Sequence, residues 1–123
     1  MIVKENKTVK LICEIEESDV TPIRTFGKVF TAAAAIMCRI NDKEKTRFDV
    51  DKKGIFIQVL NKDIPLGSKK EIQGTKLEEA INDILWAGNS WIKEYHLVYG
   101  KPDCFKEGNH GFNEIEKILT SLK

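Results

Sequence analysis

Nucleophilic or metal chemistry in this chain would rest on two histidines and three cysteines. Cys104 and His110 lie six positions apart. A catalytic thiol needs a base close enough to take its proton and a third group to orient that base. His96, Asp103 and Glu107 are partners of the right type. Asp103, Cys104, Glu107 and His110 also fall within eight residues, but their spacing matches no zinc-ligand pattern. The stretch Lys106-Glu107-Gly108-Asn109-His110-Gly111 is polar and broken by glycine. It reads as a flexible loop leading into a helix, with a surface histidine and a half-buried cysteine. No catalytic group and no metal is expected there.

Other chemical signatures are missing. A phosphate-cradling loop needs GxxxxGK[ST] or GxGxxG, and neither occurs. Leu66-Gly67-Ser68-Lys69-Lys70 resembles only the tail of such a loop and reads as a solvated turn. There is no GxSxG nucleophile elbow. The carboxylate pairs Glu16-Glu17, Asp49 with Asp51, and Glu78-Glu79 lie on strands, turns and helix faces open to water. General acid–base work requires one carboxyl of a pair to be desolvated. No cofactor is expected.

Composition narrows the class further. The chain has 123 residues, 41% hydrophobic and 32% charged, which suits one soluble globular domain over residues 1–123. Twenty basic residues against 19 acidic ones leave a net charge of +1. That balance fits neither an acidic mimic of nucleic acid nor a strongly basic binder of it. Arg39, Lys43, Lys45, Arg47, Lys52 and Lys53 do cluster, but Asp42, Glu44, Asp49 and Asp51 are interspersed and dilute the field. The opening MIVKENKTVK turns polar within four residues, and no run of 18 apolar residues exists. Three widely spaced cysteines without a CxxC pair make a poor disulfide framework. The expected setting is the reducing cytoplasm, without a membrane.

Hydrophobic periodicity supplies the scaffold. Residues 8–16 alternate, with Val9, Leu11, Cys13 and Ile15 on one side and Ile12 the exception, as in a half-buried strand. Residues 46–60 read as a hairpin whose turn is Asp51-Lys52-Lys53-Gly54, the glycine supplying a positive φ. Residues 22–41 favour a helix, capped by Thr21, opened by Pro22 and presenting Ile23, Phe26, Phe30, Ala33, Met37 and Ile40 on one face. A long strand is the alternative for this segment. Thr75-Lys76-Leu77-Glu78 matches a capping box for a helix over 76–93. Its apolar stripe would hold Leu77, Ala80, Ile81, Ile84, Leu85, Gly88, Trp91 and Ile92, although Gly88 also fits as the end of a shorter helix. A strand over 95–99 and a helix over 112–122 complete the order β, α, ββ, α, β, α. That order predicts an α+β domain, a mainly antiparallel sheet with two or three helices packed on it.

Trp86 does not fit the stripe. At 100° per residue it falls almost opposite the stripe's middle, among polar residues. Either it lies under a loop such as Ile64-Pro65-Leu66 or under the last helix, or it is a contact surface with Asn82, Asn89, Ser90 and Lys93. Tryptophan is enriched where partners meet. The sequence therefore points to a non-enzymatic binding protein that acts stoichiometrically on a partner, as an immunity protein or a phage-encoded inhibitor of host defence does. That partner is another protein or a second copy of the chain. One alternative is a site for a small nucleotide-like ligand between protomers, with Arg24, Lys28 and Arg39 neutralising phosphate. Weak nucleic-acid binding and an enzyme centred on Cys104, His96 and His110 are the others.

Overall fold

A computed structural model describes residues 2–16, 21–35, 37–39, 43 and 45–122. The elements run β1 (Ile2–Glu5), β2 (Thr8–Glu16), α1 (Pro22–Ala33), β3 (Met37–Arg39), β4 (Arg47–Leu60), α2 (Lys69–Ala87), β5 (Ile92–Tyr99), a short 3-10 turn at Pro102–Phe105, and α3 (His110–Thr120). β4 is the central strand. β2 lies parallel along one side of it. The short β3 pairs antiparallel with its first residues, and β5 pairs parallel with its second half. β1 closes the other margin, antiparallel to β2.

The three long strands β2, β4 and β5 are thus all parallel, which overturns the expected mainly antiparallel sheet. Two features misled the reading. First, α1 and α2 carry the chain back along the sheet, so each following long strand enters in the same direction. Second, the Asp51–Gly54 turn signal reverses nothing. β4 passes straight through it, and the pairing with β2 jumps from Val9↔Val50 to Leu11↔Ile55. Four residues of β4 bulge out against one of β2. The Asp51 carboxylate holds the bulge by accepting the Lys53 backbone N–H at 2.9 Å. Gly54 does not have positive φ. It is needed for space, because a Cβ there would collide with the Trp91 ring.

Both faces of the sheet are covered. Phe56, Tyr95 and Leu97 pack beneath Val29 and Ala33 of α1 and Ile81 and Leu85 of α2. Leu11, Cys13, Ile55, Ile57, Val59 and Val98 pack against Ile118 of α3. The run Gly54–Val59 is accordingly buried at every position, the pattern of a parallel strand between two helical layers. Within it, Gln58 is wholly buried and accepts the Tyr95 hydroxyl proton at 2.9 Å through Oε1.

Segment 22–41 resolves into a helix followed by a strand. Thr21 caps α1 by accepting the Arg24 N–H at 3.4 Å, and Pro22 opens it. The helix stops at Ala33, where the Trp91 indole N–H donates to the Ala32 carbonyl at 2.8 Å. The buried face is Thr25, Val29 and Ala33, with Phe26 and Phe30 stacked at its flank. Ile23, expected on the inner face, is 83% exposed. Ile40 and Asn41 lie outside the described residues.

α2 begins at Lys69 rather than Lys76. The capping box is Ser68-Lys69-Lys70-Glu71. The Ser68 hydroxyl accepts the Glu71 N–H at 3.2 Å, and the Glu71 carboxylate accepts the Gly67 N–H. Thr75 is interior to the helix and donates to the Glu71 carbonyl at 3.1 Å. Gly88 ends α2, so Trp91 and Ile92 belong to the start of β5. Ile81 and Leu85 are buried, whereas Ala80 and Ile84 of the expected stripe are exposed. Among the described residues, no helix is long and apolar enough to cross a membrane.

Candidate ligand pocket at the strand carboxyl ends

Glu16, Leu60 and Tyr99 occupy one row across the sheet, so β2, β4 and β5 finish together. Backbone bonds tie the ends: Asn61 N–H donates to Glu16 O at 3.0 Å, and Gly100 N–H to Leu60 O at 3.1 Å. Lys101 and Asp63 pair at 3.1 Å, fixing the β4–α2 loop to the turn after β5. Where parallel strands end and helices begin, side chains diverge and leave a crevice, the usual ligand position in open α/β sheets.

A cavity of about 800 Å³ lies there. α1 contributes Pro22 and Thr25; β4 and its following loop contribute Leu60, Asn61, Lys62 and Ile64. α2 contributes Lys70, Gln73, Gly74, Lys76 and Leu77, and β5 adds Leu97 and Tyr99. Its size is ordinary for a small-molecule site. The walls divide by chemistry. Leu60 and Leu97 from the sheet and Leu77 from α2 form an aliphatic surface. Lys62, Lys70 and Lys76 bring three ammonium groups, and among the described residues no carboxylate lines the cavity. Lys70 and Lys76 are exposed and make no ion pair among the described residues. The first turn of α1, which opens at the cavity, also holds no acidic residue of its own.

Two hydroxyls complete the lining. Thr25 is only 2% exposed, and its hydroxyl has no hydrogen-bond partner among the described residues. Tyr99 is half-buried, and its hydroxyl end rests over Gly74, where any Cβ would collide with it. Burial, with smaller contributions from Glu78 and Glu71, pushes the Tyr99 phenol up to about 12. It therefore stays a proton donor at neutral pH.

The residues singled out from sequence are dispersed. Arg24 lies exposed in the first turn of α1. Lys28 is engaged by Glu14 at 3.3 Å and by Glu16. Arg39 is on β3, paired with Arg47 at the start of β4. Arg24 and Lys28 thus lie one turn apart on α1, whereas Arg39 falls on a separate strand because the helix stops at Ala33. From sequence, Lys70 falls in a solvated turn and Lys76 in a helix cap, and neither is assigned to a ligand site, although Asn61-Lys62 directly follows a strongly apolar run.

Trp86 faces water and is 78% exposed, so it lies under neither the Ile64-Pro65-Leu66 loop nor the last helix. Asn82 is turned to β5, its amide donating to Tyr95 O at 2.9 Å and accepting the Tyr95 N–H at 2.8 Å. Ser90 donates to Ile92 O at 2.7 Å and Lys93 to Gly88 O at 2.9 Å, both within the α2–β5 turn. Asn89 is exposed, beside a shallow groove that also includes Ser90 and Trp91.

Cys104 is a free thiol packed against Gly100 and Gly111. His110 pairs with Glu114 at 3.8 Å and His96 with Glu94 at 3.2 Å. Among the described residues no hydrogen bond joins Cys104 to either histidine, and no group of three or more His, Cys, Asp or Glu is placed to hold a metal. No protein-family model, curated protein or solved structure matches the chain.

Proposed function

We propose that this protein is a non-enzymatic binding protein that holds a small organic anion in the cavity between α1 and α2. The observation that carries the reading is the coincidence of Lys70 and Lys76 on one cavity, where among the described residues neither has an ion-pair partner and no carboxylate lines the wall. Like charges gathered beside low-dielectric walls focus potential and attract an opposite charge. Placement at the carboxyl ends of three parallel strands supports the same conclusion. A ligand raises melting temperature in proportion to how far its concentration exceeds its dissociation constant. A panel of organic phosphates and carboxylates should therefore contain compounds that stabilise the native protein but not its Lys70→Ala/Lys76→Ala variant. Equal behaviour of the two proteins toward the whole panel would refute this assignment. The setting is the cytoplasm, a reading supported by the free thiol of Cys104.

A second reading keeps a protein partner, as for an immunity protein or an inhibitor of host defence. It is favoured by Trp86 and Ile84, 78% and 51% exposed on one helix. A large exposed aromatic side chain is the usual anchor of such a contact. Trp86→Ala should then weaken the association without unfolding the protein.

A further inference from the structure

We propose that the cavity takes a nucleoside monophosphate, its phosphate at the lysine rim and its base turned inward toward the Thr25 and Tyr99 hydroxyls. This rests on the anion-binding reading above and names the ligand class for the same site.

Three observations select the class. The rim presents Lys70 and Lys76 near the start of α1, a concentration of positive charge suited to a dianion. Three leucines line the cavity, Leu60 and Leu97 from the sheet and Leu77 from α2, and they disfavour a bare sugar or inorganic ion and favour a flat, carbon-rich group. The inner wall nevertheless holds two hydroxyls without protein partners, Thr25 at 2% exposure and Tyr99 over Gly74. Both hydroxyls are left open to the cavity rather than bonded within the protein, so a ligand seated there can match them. A plain aliphatic acid would fill the leucine wall and leave both hydroxyls unanswered. A sugar phosphate would answer them and waste the leucines. A heteroaromatic base satisfies both, since its face is apolar and its edge accepts hydrogen bonds.

The arrangement makes a prediction that a purely structural role for Thr25 does not. Thr25→Val keeps the side-chain shape and removes a hydroxyl that bonds to nothing in the protein. The free protein should melt at the same temperature or higher, while ligand affinity falls. The experiment is calorimetric titration of the full chain with AMP, GMP, CMP and UMP, and with ribose 5-phosphate, inorganic phosphate and octanoate as comparators. At least one nucleotide should bind roughly tenfold or more tightly than every comparator. Thr25→Val and Tyr99→Phe should each weaken that nucleotide roughly tenfold, the worth of one hydrogen bond in a desolvated site. Tyr99→Phe serves should Thr25→Val fail to fold. Ribose 5-phosphate binding as tightly as the nucleotides, with both lysines required, would overturn the base assignment and leave the anion site standing. Tight octanoate binding alone would do the same. Silence of all seven compounds would overturn the nucleotide proposal, and the anion site itself would then rest on the wider panel.

Discussion

The carboxylate of Glu78, midway along α2, accepts the backbone N–H of Leu97 on β5 at 2.7 Å. One turn further along, Asn82 takes both the N–H and the carbonyl of Tyr95. β5 is hydrogen-bonded to β4 along one side only, so its other side would present unpaired backbone groups. Such edges template aggregation unless something covers them. Here two helical side chains complete the strand, and the same bonds fix Leu97 and Tyr99 relative to α2. The inner half of the pocket thereby gains a rigid wall.

Glu78→Ala should therefore cost about 1–3 kcal/mol, the range for stranding a partly buried backbone donor. Chemical denaturation measures it directly. Glu78→Gln, whose side chain still offers an oxygen to the Leu97 N–H, should recover much of the loss. If both variants unfold at the wild-type midpoint, the edge is closed by something other than this bond.

The two tryptophans should behave oppositely. Trp91 is 7% exposed, fills the space beside Gly54 and bonds the last turn of α1. Truncating it to alanine should cost about 3–5 kcal/mol. Trp86, 78% exposed, should cost no more than about 0.5 kcal/mol on the same change. Thermal melts of the pair separate core from surface in a single comparison, and any partner lost from Trp86→Ala then reflects the contact alone.

Alkaline pH should loosen the fold through its tyrosines. Burial raises the Tyr95 and Tyr99 phenols above their ordinary value of 10, Tyr99 to about 12. Below pH 10 both the native and unfolded states keep these protons, so stability does not change on their account. Above it the unfolded chain ionises first, and stability falls as pH climbs toward 12. Tyr99→Phe should shallow that decline between pH 10 and 12, read as denaturation midpoints across the range. An unaltered slope would place Tyr99 in contact with solvent rather than against Gly74.

Local signals in the sequence were mostly legible, and long-range ones were not. Residues 8–16 form β2, as their alternation predicts. Thr21 and Pro22 start α1 as capping chemistry requires. Parallel pairing could not be seen, because β2, β4 and β5 meet through contacts distant in the chain. Asp51–Gly54 carried genuine turn chemistry that tertiary structure used for a bulge instead of a reversal. The capping signature occurs twice, at Ser68–Glu71 and at Thr75–Glu78, and local sequence offered no reason to prefer the first. Glu78 was then free to reach Leu97. The pocket was hidden for the same reason as the sheet. Thr25, Lys70 and Tyr99 converge only once three strands end in one row, and no short motif records that.

The most direct test of the central claim is to map the binding of AMP, GMP, CMP and UMP on the uniformly nitrogen-15-labelled protein by NMR. The account predicts that the shifted amides cluster at residues 23–25, 60–64, 70–77 and 97–99, the two ends of α1 and α2 that face the cavity and the strand ends between them. Shifts centred instead on Trp86 and residues 89–93, or no shift with any of AMP, GMP, CMP and UMP at millimolar concentration, would contradict it.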